Sequence, residues 1–203
     1  MKPVHRNGQR GAVLVIALLF LTILTILGVT AMTATTFEEK MAGNTRDTAV
    51  AFQAAEAALR DGRRDINGIV ANGAPTIART PAIVGKTGFG SGVVDIDDGS
   101  CGVGTAPPQT LGLCRPWPYD AAAGIPPKLN NTAVFVTYGT YTGAPQLLGL
   151  SSPPRYFIEV ICLPQYGASL GDPSFCNFYR ITARGFGNNP NTQVTVQEIF
   201  LKP

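Results

Sequence analysis

Residues 12–37 form an unbroken run without a charged side chain, and this run constrains the fold of the 203-residue chain more than any other feature. Its first 21 residues, 12–32, are predominantly apolar. An α-helix needs about 20 such residues to cross the hydrocarbon core of a bilayer. Basic residues precede the run, while Glu38 and Glu39 follow it. By the positive-inside rule, this charge distribution predicts a membrane-spanning helix with its amino terminus on the cytoplasmic side.

Two maturation routes are compatible with this segment. A secretory signal would be cleaved after the small residues Val29-Thr30-Ala31 and would release a soluble protein that begins near Met32. Cleavage between Gly11 and Ala12 would instead remove the basic leader, residues 1–11, and keep the apolar helix. We favour the second route because the helical pattern does not stop at Ala31.

The helical pattern continues through the charged residues that follow the apolar run. Apolar and small side chains recur at helical spacing and predict one buried helix face: Phe37, Met41, Thr48, Phe52, Ala55 and Leu59. Gly43 is a weak point, because glycine lowers helix stability by about 1 kcal/mol relative to alanine, and Gly62 predicts the end of the helix. We therefore expect one helix whose first half, residues 12–36, is transmembrane and whose second half, residues 37–62, is amphipathic.

The remainder of the chain, residues 63–203, is predicted to form a globular head. Residues 63–132 are rich in glycine and proline and predict loops with a few short strands or helices among them. From residue 133 onward, four runs show period-two alternation and predict an antiparallel sheet: residues 133–141, 155–163, 178–186 and 192–201. The turn GNNPN joins the last two runs as a hairpin. A long helix packed on such a sheet gives an α+β fold.

Four cysteines lie in the second half of the sequence: Cys101, Cys114, Cys162 and Cys176. An even number of cysteines in an exported chain indicates disulfides formed in an oxidising compartment. Three connectivities are possible. We choose Cys101 with Cys114 and Cys162 with Cys176, because these pairs are local and lie at the ends of predicted elements.

The sequence lacks the residues, or the spacing between them, that catalytic and metal-binding sites usually require. The single histidine, His5, lies in the leader, so the mature chain has no imidazole for a catalytic triad or a zinc site. The acidic run that begins at Asp95 has Ser100 and Ala106 where a calcium loop needs glycine and glutamate. Beyond residue 11 the chain has 13 basic and 13 acidic residues, a balance that argues against a nucleic-acid-binding domain, which normally needs a basic stripe. We predict no catalytic residue, metal, cofactor or bound nucleic acid.

Three consecutive stretches of the sequence resemble the N-terminal region of PilX, a family of minor pilins of type IV pili. They are the leader that ends in glycine, the segment RGAVLVIALLFLTILTILGVTAM and the segment FEEKMAGNTRDTAVAFQAAEAALRDG. The resemblance covers about residues 9–62. It implies the type IV pilin architecture, in which a long N-terminal helix packs on a C-terminal antiparallel sheet. It also implies cleavage after Gly11 by prepilin peptidase and N-methylation of Ala12. The subunit would then wait in the inner membrane, with a periplasmic head, before it joins a pilus on the cell surface.

One position departs from the general prepilin pattern. Major pilins carry glutamate at the fifth mature position, where it is thought to pair with the N-terminal amine of a neighbouring subunit, whereas this chain has Ile16. A buried carboxylate without its cation costs several kcal/mol, and isoleucine removes both that cost and the attraction. This departure leads to the hypothesis that the subunit occupies a position without such a partner, such as the pilus tip.

The resemblance implies a non-catalytic minor pilin that takes part in assembly, priming or tip formation. Its partners would be other minor pilins, the major pilin and a tip adhesin. Two alternatives stay open at this point. The first is a minor pseudopilin of a type II secretion system, and the second is a membrane-anchored periplasmic binding or adhesion module that uses loop aromatic residues such as Phe89, Trp117, Tyr141 and Tyr166.

Overall fold

The computed structural model describes residues 10–69, 79, 83, 101–102, 109–115, 127–161 and 178–202. In chain order the helices and strands are α1 (Arg10–Asn67), β1 (Leu113–Cys114), a 3-10 helix (Pro127–Asn130), β2 (Val136–Thr137), β3 (Arg155–Ile161), β4 (Phe178–Phe186) and β5 (Gln193–Leu201). The chain divides into two compact units, Met1–Arg46 and Asp47–Pro203.

The first unit contains the apolar part of α1. Between residues 13 and 32 its large apolar side chains are 44% to 74% exposed. The hydroxyls of Thr22, Thr25 and Thr30 donate to carbonyl oxygens three or four residues earlier at 2.8–2.9 Å. These hydroxyls are therefore satisfied within the helix itself, as an apolar environment requires. Within the described residues, α1 is the one helix with the length and apolar composition to cross a membrane.

The second unit is built on one sheet with the strand order β1-β3-β4-β5, and β2 also pairs with β3. The long strands are antiparallel, with Ile158 opposite Ile181 and Val160 opposite Tyr179. These side chains join Ala58, Leu59 and Ile66 of α1 in the main core. The predicted α+β arrangement, the three long strands and the hairpin between β4 and β5 are thus confirmed.

The sheet is mixed, because β1 pairs with β3 in parallel, with Leu113 opposite Ile158. This strand and the 3-10 helix are short elements of the kind expected within residues 63–132. The predicted strand over residues 133–141 was wrong in extent, since only Val136–Thr137 is extended. Gly139 has φ of 81° and belongs to a turn, which ends the strand directly after Thr137.

The predicted buried face of α1 was partly wrong. Ala55 and Leu59 are buried as expected, but Thr48 is exposed and the apolar side chains of Phe37, Met41 and Phe52 are 65%, 70% and 47% exposed. The buried face is lined by Ala51, Ala54, Ala55 and Ala58 instead. Small side chains are required there because a strand backbone lies directly against the helix.

The end of α1 was also predicted wrongly, because the helix continues through Gly62 to Asn67. A Cβ on Gly62 would lie 2.8 Å from Cγ2 of Ile181, so this glycine permits close packing on the sheet. Gly68, with φ of 69°, ends the helix. Its amide donates to the carbonyl of Asp65, and the amide of Ile69 donates to the carbonyl of Arg64, which is the Schellman pattern of a helix terminus.

The other face of the sheet carries a smaller apolar cluster. Cys114, Leu129 and Phe157 are fully buried there, and Val134 and Phe135 pack against them. A disulfide joins Cys101 to Cys114 and fastens the Cys101 segment to β1. Because both faces of the central strand β3 are covered, its burial is nearly continuous and does not alternate.

Candidate assembly site

The apolar surface of α1 is the first functional feature, because it can only be stable away from water. Large aliphatic and aromatic side chains surround the helix on every side between residues 13 and 32. A helix that is apolar all round belongs in a bilayer or among other helices. A surface of this composition is suited to association with lipid or with other apolar helices.

The predicted maturation residues lie at the start of this surface. Gly11 and Ala12 are exposed in the first turn of α1, and the helix begins one residue before them, at Arg10. Ile16 follows one turn later and is 55% exposed. A neighbouring helix could therefore contact Ile16 only through apolar packing, since its side chain offers no charge or hydrogen bond.

The second feature is a buried polar cluster, Asp61, Asp65, Arg79 and Tyr156, under the last turns of α1. Nε of Arg79 lies 2.9 Å from Oδ1 of Asp65, as an ion pair without hydrogen-bond geometry. The Tyr156 hydroxyl donates to Oδ2 of the same carboxylate at 2.9 Å. Burial raises the pKa of Asp65 to about 6, although the Arg79 guanidinium opposes this shift.

Arg79 connects this cluster to two further segments of the head. Its side chain is fully buried, and the guanidinium lies 4.1 Å from the centre of the Tyr141 ring. Nη1 also donates to the carbonyl oxygen of Leu111, just before β1. One cation thus joins the helix end, the turn after β2 and the start of β1.

Asp61 makes a second set of contacts from the preceding helical turn. Its carboxylate accepts hydrogen bonds from the Thr142 hydroxyl and, at 2.7 Å, from the Gly139 amide. Burial raises the pKa of Asp61, and these two donors oppose the shift. The turn after β2 is therefore fastened to α1 by a carboxylate.

Asp47 makes the third polar connection between the helix and the sheet. Its Oδ1 atom accepts the Asn188 amide at 2.6 Å, and its carboxylate also faces the Asn189 amide at 3.3–3.4 Å. Hydrogen bonding, above all from the Thr192 side chain, lowers the pKa of Asp47. A Cβ on Gly187 would lie 2.5 Å from Oδ1, so glycine is needed for this approach.

Two family comparisons cover most of the chain. Residues 10–60 match the family described as PilX N-terminal, and residues 90–202 match the type IV pilus assembly protein PilX C-term. The chain belongs to the PilX family of type IV pilus assembly proteins. No curated protein and no solved structure matches it.

Membership in the PilX family confirms the resemblance first seen in the N-terminal region and extends it to the head. The C-terminal match spans the five strands found in the described part of the chain. The family indicates a structural and non-catalytic role, a location in the membrane or the pilus, and interaction with other pilus components. The apolar surface of α1 is therefore the candidate assembly surface, and the polar cluster connects the last turns of α1 to β3 and to the turn after β2.

Sequence reasoning identified some of these residues and missed others. The structure brings Cys101 and Cys114 together, as the local pairing predicts. Cys162 and Cys176, Trp117 and the acidic run at Asp95 lie outside the described residues. The buried roles of Asp61 and Asp65 were missed, although their spacing of four places both on the alanine-lined side of α1, which was an available signal.

Proposed function

We propose that this PilX-family protein is a minor pilin that takes part in the assembly, priming or tip formation of a type IV pilus. Prepilin peptidase cleaves after Gly11, Ala12 is N-methylated, and the apolar helix is kept in the mature subunit. The observation that supports this most directly is the apolar surface of α1, whose large side chains are at least 44% exposed between residues 13 and 32.

This surface provides the physical basis of assembly. In the inner membrane, lipid covers residues 12–36 while the head, residues 63–203, lies in the periplasm. Extraction of the helix into water would expose the whole apolar surface, which is strongly unfavourable. The subunit leaves the bilayer only when helices of other minor pilins or the major pilin replace the lipid. A tip adhesin is the proposed partner of the head.

Ile16 supports a place at the pilus tip. A subunit inside the filament has a neighbour whose N-terminal amine needs a carboxylate, while a subunit at the end of the filament does not. A charge at this position would be buried and unpaired at the tip, at a cost of several kcal/mol. Isoleucine avoids that cost and packs on adjacent helices.

The proposed maturation is tested by mass spectrometry of the protein purified from membranes. We expect a mature N-terminus at Ala12 carrying one methyl group. Gly11→Val should leave the leader attached, whereas Gly8→Val, a matched change within the leader, should not affect cleavage. A mature protein that begins at Met32 would show that the apolar helix is a discarded signal, and an uncleaved wild-type Met1 would contradict maturation by a peptidase.

The proposed partners are tested by a photo-crosslinking amino acid placed at Phe20, which is 61% exposed on the apolar surface. We expect covalent products with other pilins. The same probe at Leu148, which is 93% exposed in the head, controls for random collision. Products equal to those of the control would contradict helix-mediated assembly. Ile16→Glu tests the tip assignment separately, because unchanged assembly and placement would count against it.

A further inference from the structure

Two arginines, Arg155 and Arg184, lie directly opposite each other in the antiparallel pair of β3 and β4. Arg155 is on the same face of β3 as Phe157, because side chains alternate along a strand, and that face carries the smaller apolar cluster. Like charges directly opposite each other in neighbouring strands repel and destabilise the sheet. Strand pairing therefore does not account for this pair of cations.

The same two strands show the usual pairing of opposite charges further along. Arg180 lies opposite Glu159, and its Nε donates to Oε2 of Glu159 at 2.6 Å. Neither Arg155 nor Arg184 forms an ion pair with any residue in the described part of the chain. One face of the sheet thus carries a neutralised arginine and, at a separate position, two positive charges without an anion.

The guanidinium of Arg155 is held by aromatic rings and by no polar partner. It lies 4.6 Å from the centre of the Phe135 ring and 4.5 Å from the centre of the Phe186 ring. Stacking on a ring uses the face of a planar guanidinium, whereas its N–H groups lie in the plane and stay available. The Nε atom of Arg155 is buried, and no nitrogen of this side chain donates a hydrogen bond to a described residue.

Arg184 is fixed beside it by neutral groups. Its Nη1 donates to Oδ1 of Asn130 at 2.6 Å and its Nε to Oγ1 of Thr195 at 3.1 Å, while Nη2 has no acceptor among the described residues. Arg184 is only 9% exposed, and Arg155 is half-buried. Burial lowers the pKa of both arginines, and the charge of Arg184 lowers the pKa of Arg155 further. A negative group bound between them would relieve this strain on the charged forms.

We propose that Arg155 and Arg184 bind one oxyanion group, a carboxylate or a phosphate, of a ligand of the head. The N–H groups along the edge of a guanidinium match two oxygens of such a group, and hydrogen bonds of this kind are assisted by charge. The bound oxygens would supply acceptors for the nitrogens of Arg155 and for Nη2 of Arg184. The site lies within the unit Asp47–Pro203 and does not depend on the proposed role in pilus assembly.

Nuclear magnetic resonance of the Nε–Hε groups of arginine tests the site in the full chain. The isotope-labelled protein is kept in an uncharged detergent, because phospholipids would supply phosphate, and sodium chloride is replaced by sodium acetate or sodium phosphate at constant ionic strength. The Arg155 signal should shift and saturate at millimolar concentrations of at least one of the two salts, and the salt that saturates it identifies the oxyanion. Arg63, which pairs with Glu198 on the surface, is the internal control and should not saturate. No saturating shift of Arg155 with either salt, or the same shift at Arg63, would overturn the proposal.

Two variants test whether the arginines act as a pair. Arg184→Gln should weaken the binding of the saturating anion at Arg155 about tenfold, the effect of losing one charge-assisted hydrogen bond. Arg155→Lys keeps the charge but removes the planar guanidinium, and it should weaken binding followed at the Arg184 signal. Arg63→Gln is the matched control and should leave the affinity unchanged. An affinity in Arg184→Gln or Arg155→Lys equal to that of the wild type would overturn the paired site, and the wild-type titration decides the proposal even if a variant does not fold.

Discussion

The backbone of Gly185 in β4 lies directly against the backbone of Ala51 in α1. A Cβ atom on Gly185 would overlap the carbonyl oxygen of Ala51 and the amide nitrogen of Ala55. Neither of these is the end of a flexible side chain, so neither can move aside without shifting the helix or the strand. This contact explains why the part of the buried face of α1 that lies against Gly185 consists of alanines, Ala51, Ala54 and Ala55.

Gly185→Ala should therefore destabilise the head. Overpacking of a close-packed interior costs about 1–3 kcal/mol, and the upper part of this range applies because the colliding atoms belong to two backbones. We expect a lower melting temperature in thermal unfolding of the full chain followed by circular dichroism. Gly43→Ala is the control and should not lower the melting temperature. A Gly185→Ala protein as stable as the wild type would contradict the close contact.

Tyr156→Phe should destabilise the head through Asp65. The hydroxyl of Tyr156 is the hydrogen-bond donor to Oδ2 of this buried carboxylate, and its removal should cost about 1.5–3 kcal/mol. Chemical denaturation measures this difference. Tyr138→Phe, whose hydroxyl makes no hydrogen bond within the described residues, should change the free energy of unfolding by less than about 0.5 kcal/mol. Equal effects of the two substitutions would show that the hydrogen bond contributes little.

The stability of the head should fall as the pH rises between about 4 and 6. Asp65 has a pKa of about 6 in the folded protein against an ordinary value of 3.8, so the folded state holds this proton more tightly than the unfolded chain. Asp65 therefore contributes to the free energy of unfolding while it is protonated, and this contribution is lost once the pH passes about 6. Burial raises the pKa of Asp61 as well, which acts in the same direction.

Denaturation at about pH 4.5 and about pH 7 tests this dependence. The double variant Asp65→Asn/Arg79→Gln removes both buried charges together, so it leaves neither charge unpaired, and its stability should vary less with pH. Glu198→Gln, at an ion pair with Arg63 on the surface, serves as the control and should keep the wild-type dependence. A wild-type protein that is more stable at the higher pH would contradict the raised pKa.

Loss of the disulfide between Cys101 and Cys114 should cost about 3 kcal/mol in the chain-entropy model, since it closes a loop with a sequence separation of 13. The variant Cys101→Ser/Cys114→Ser should unfold at a lower denaturant concentration than the oxidised wild type. Reduction of the wild type should lower the midpoint by at least as much, because it would also break the predicted bridge between Cys162 and Cys176. If neither treatment changes the denaturation midpoint, the bridge does not contribute to stability.

Much of the architecture followed from local patterns. The apolar run predicted the first half of α1, and period-two alternation predicted β3, β4 and β5 within one or two residues at most of their ends. These elements are long, and each has one dominant periodicity over its whole length. Recognition of the family from the N-terminal segments also needed no tertiary information, because those segments are contiguous in the sequence.

The candidate site could be predicted only in part. The apolar surface of α1 follows from composition alone, because an apolar helix has to be shielded from water by lipid or by other helices. The contact of Asp47 with the turn between β4 and β5 and the polar cluster were not predicted. Asp47 binds Asn188 at a sequence separation of 141 residues, and Asp65 binds Tyr156 at a separation of 91. No local pattern distinguishes such aspartates from solvated ones.

The sequence alone determined that a long apolar helix precedes a head with antiparallel strands, because helix and strand periods are properties of neighbouring residues. Tertiary structure decided which face of the helix is buried, where it ends, and that β1 pairs in parallel with β3. These outcomes depend on the distance between two backbones, as at Gly185 and Ala51, and that distance is set only when segments far apart in the chain pack together.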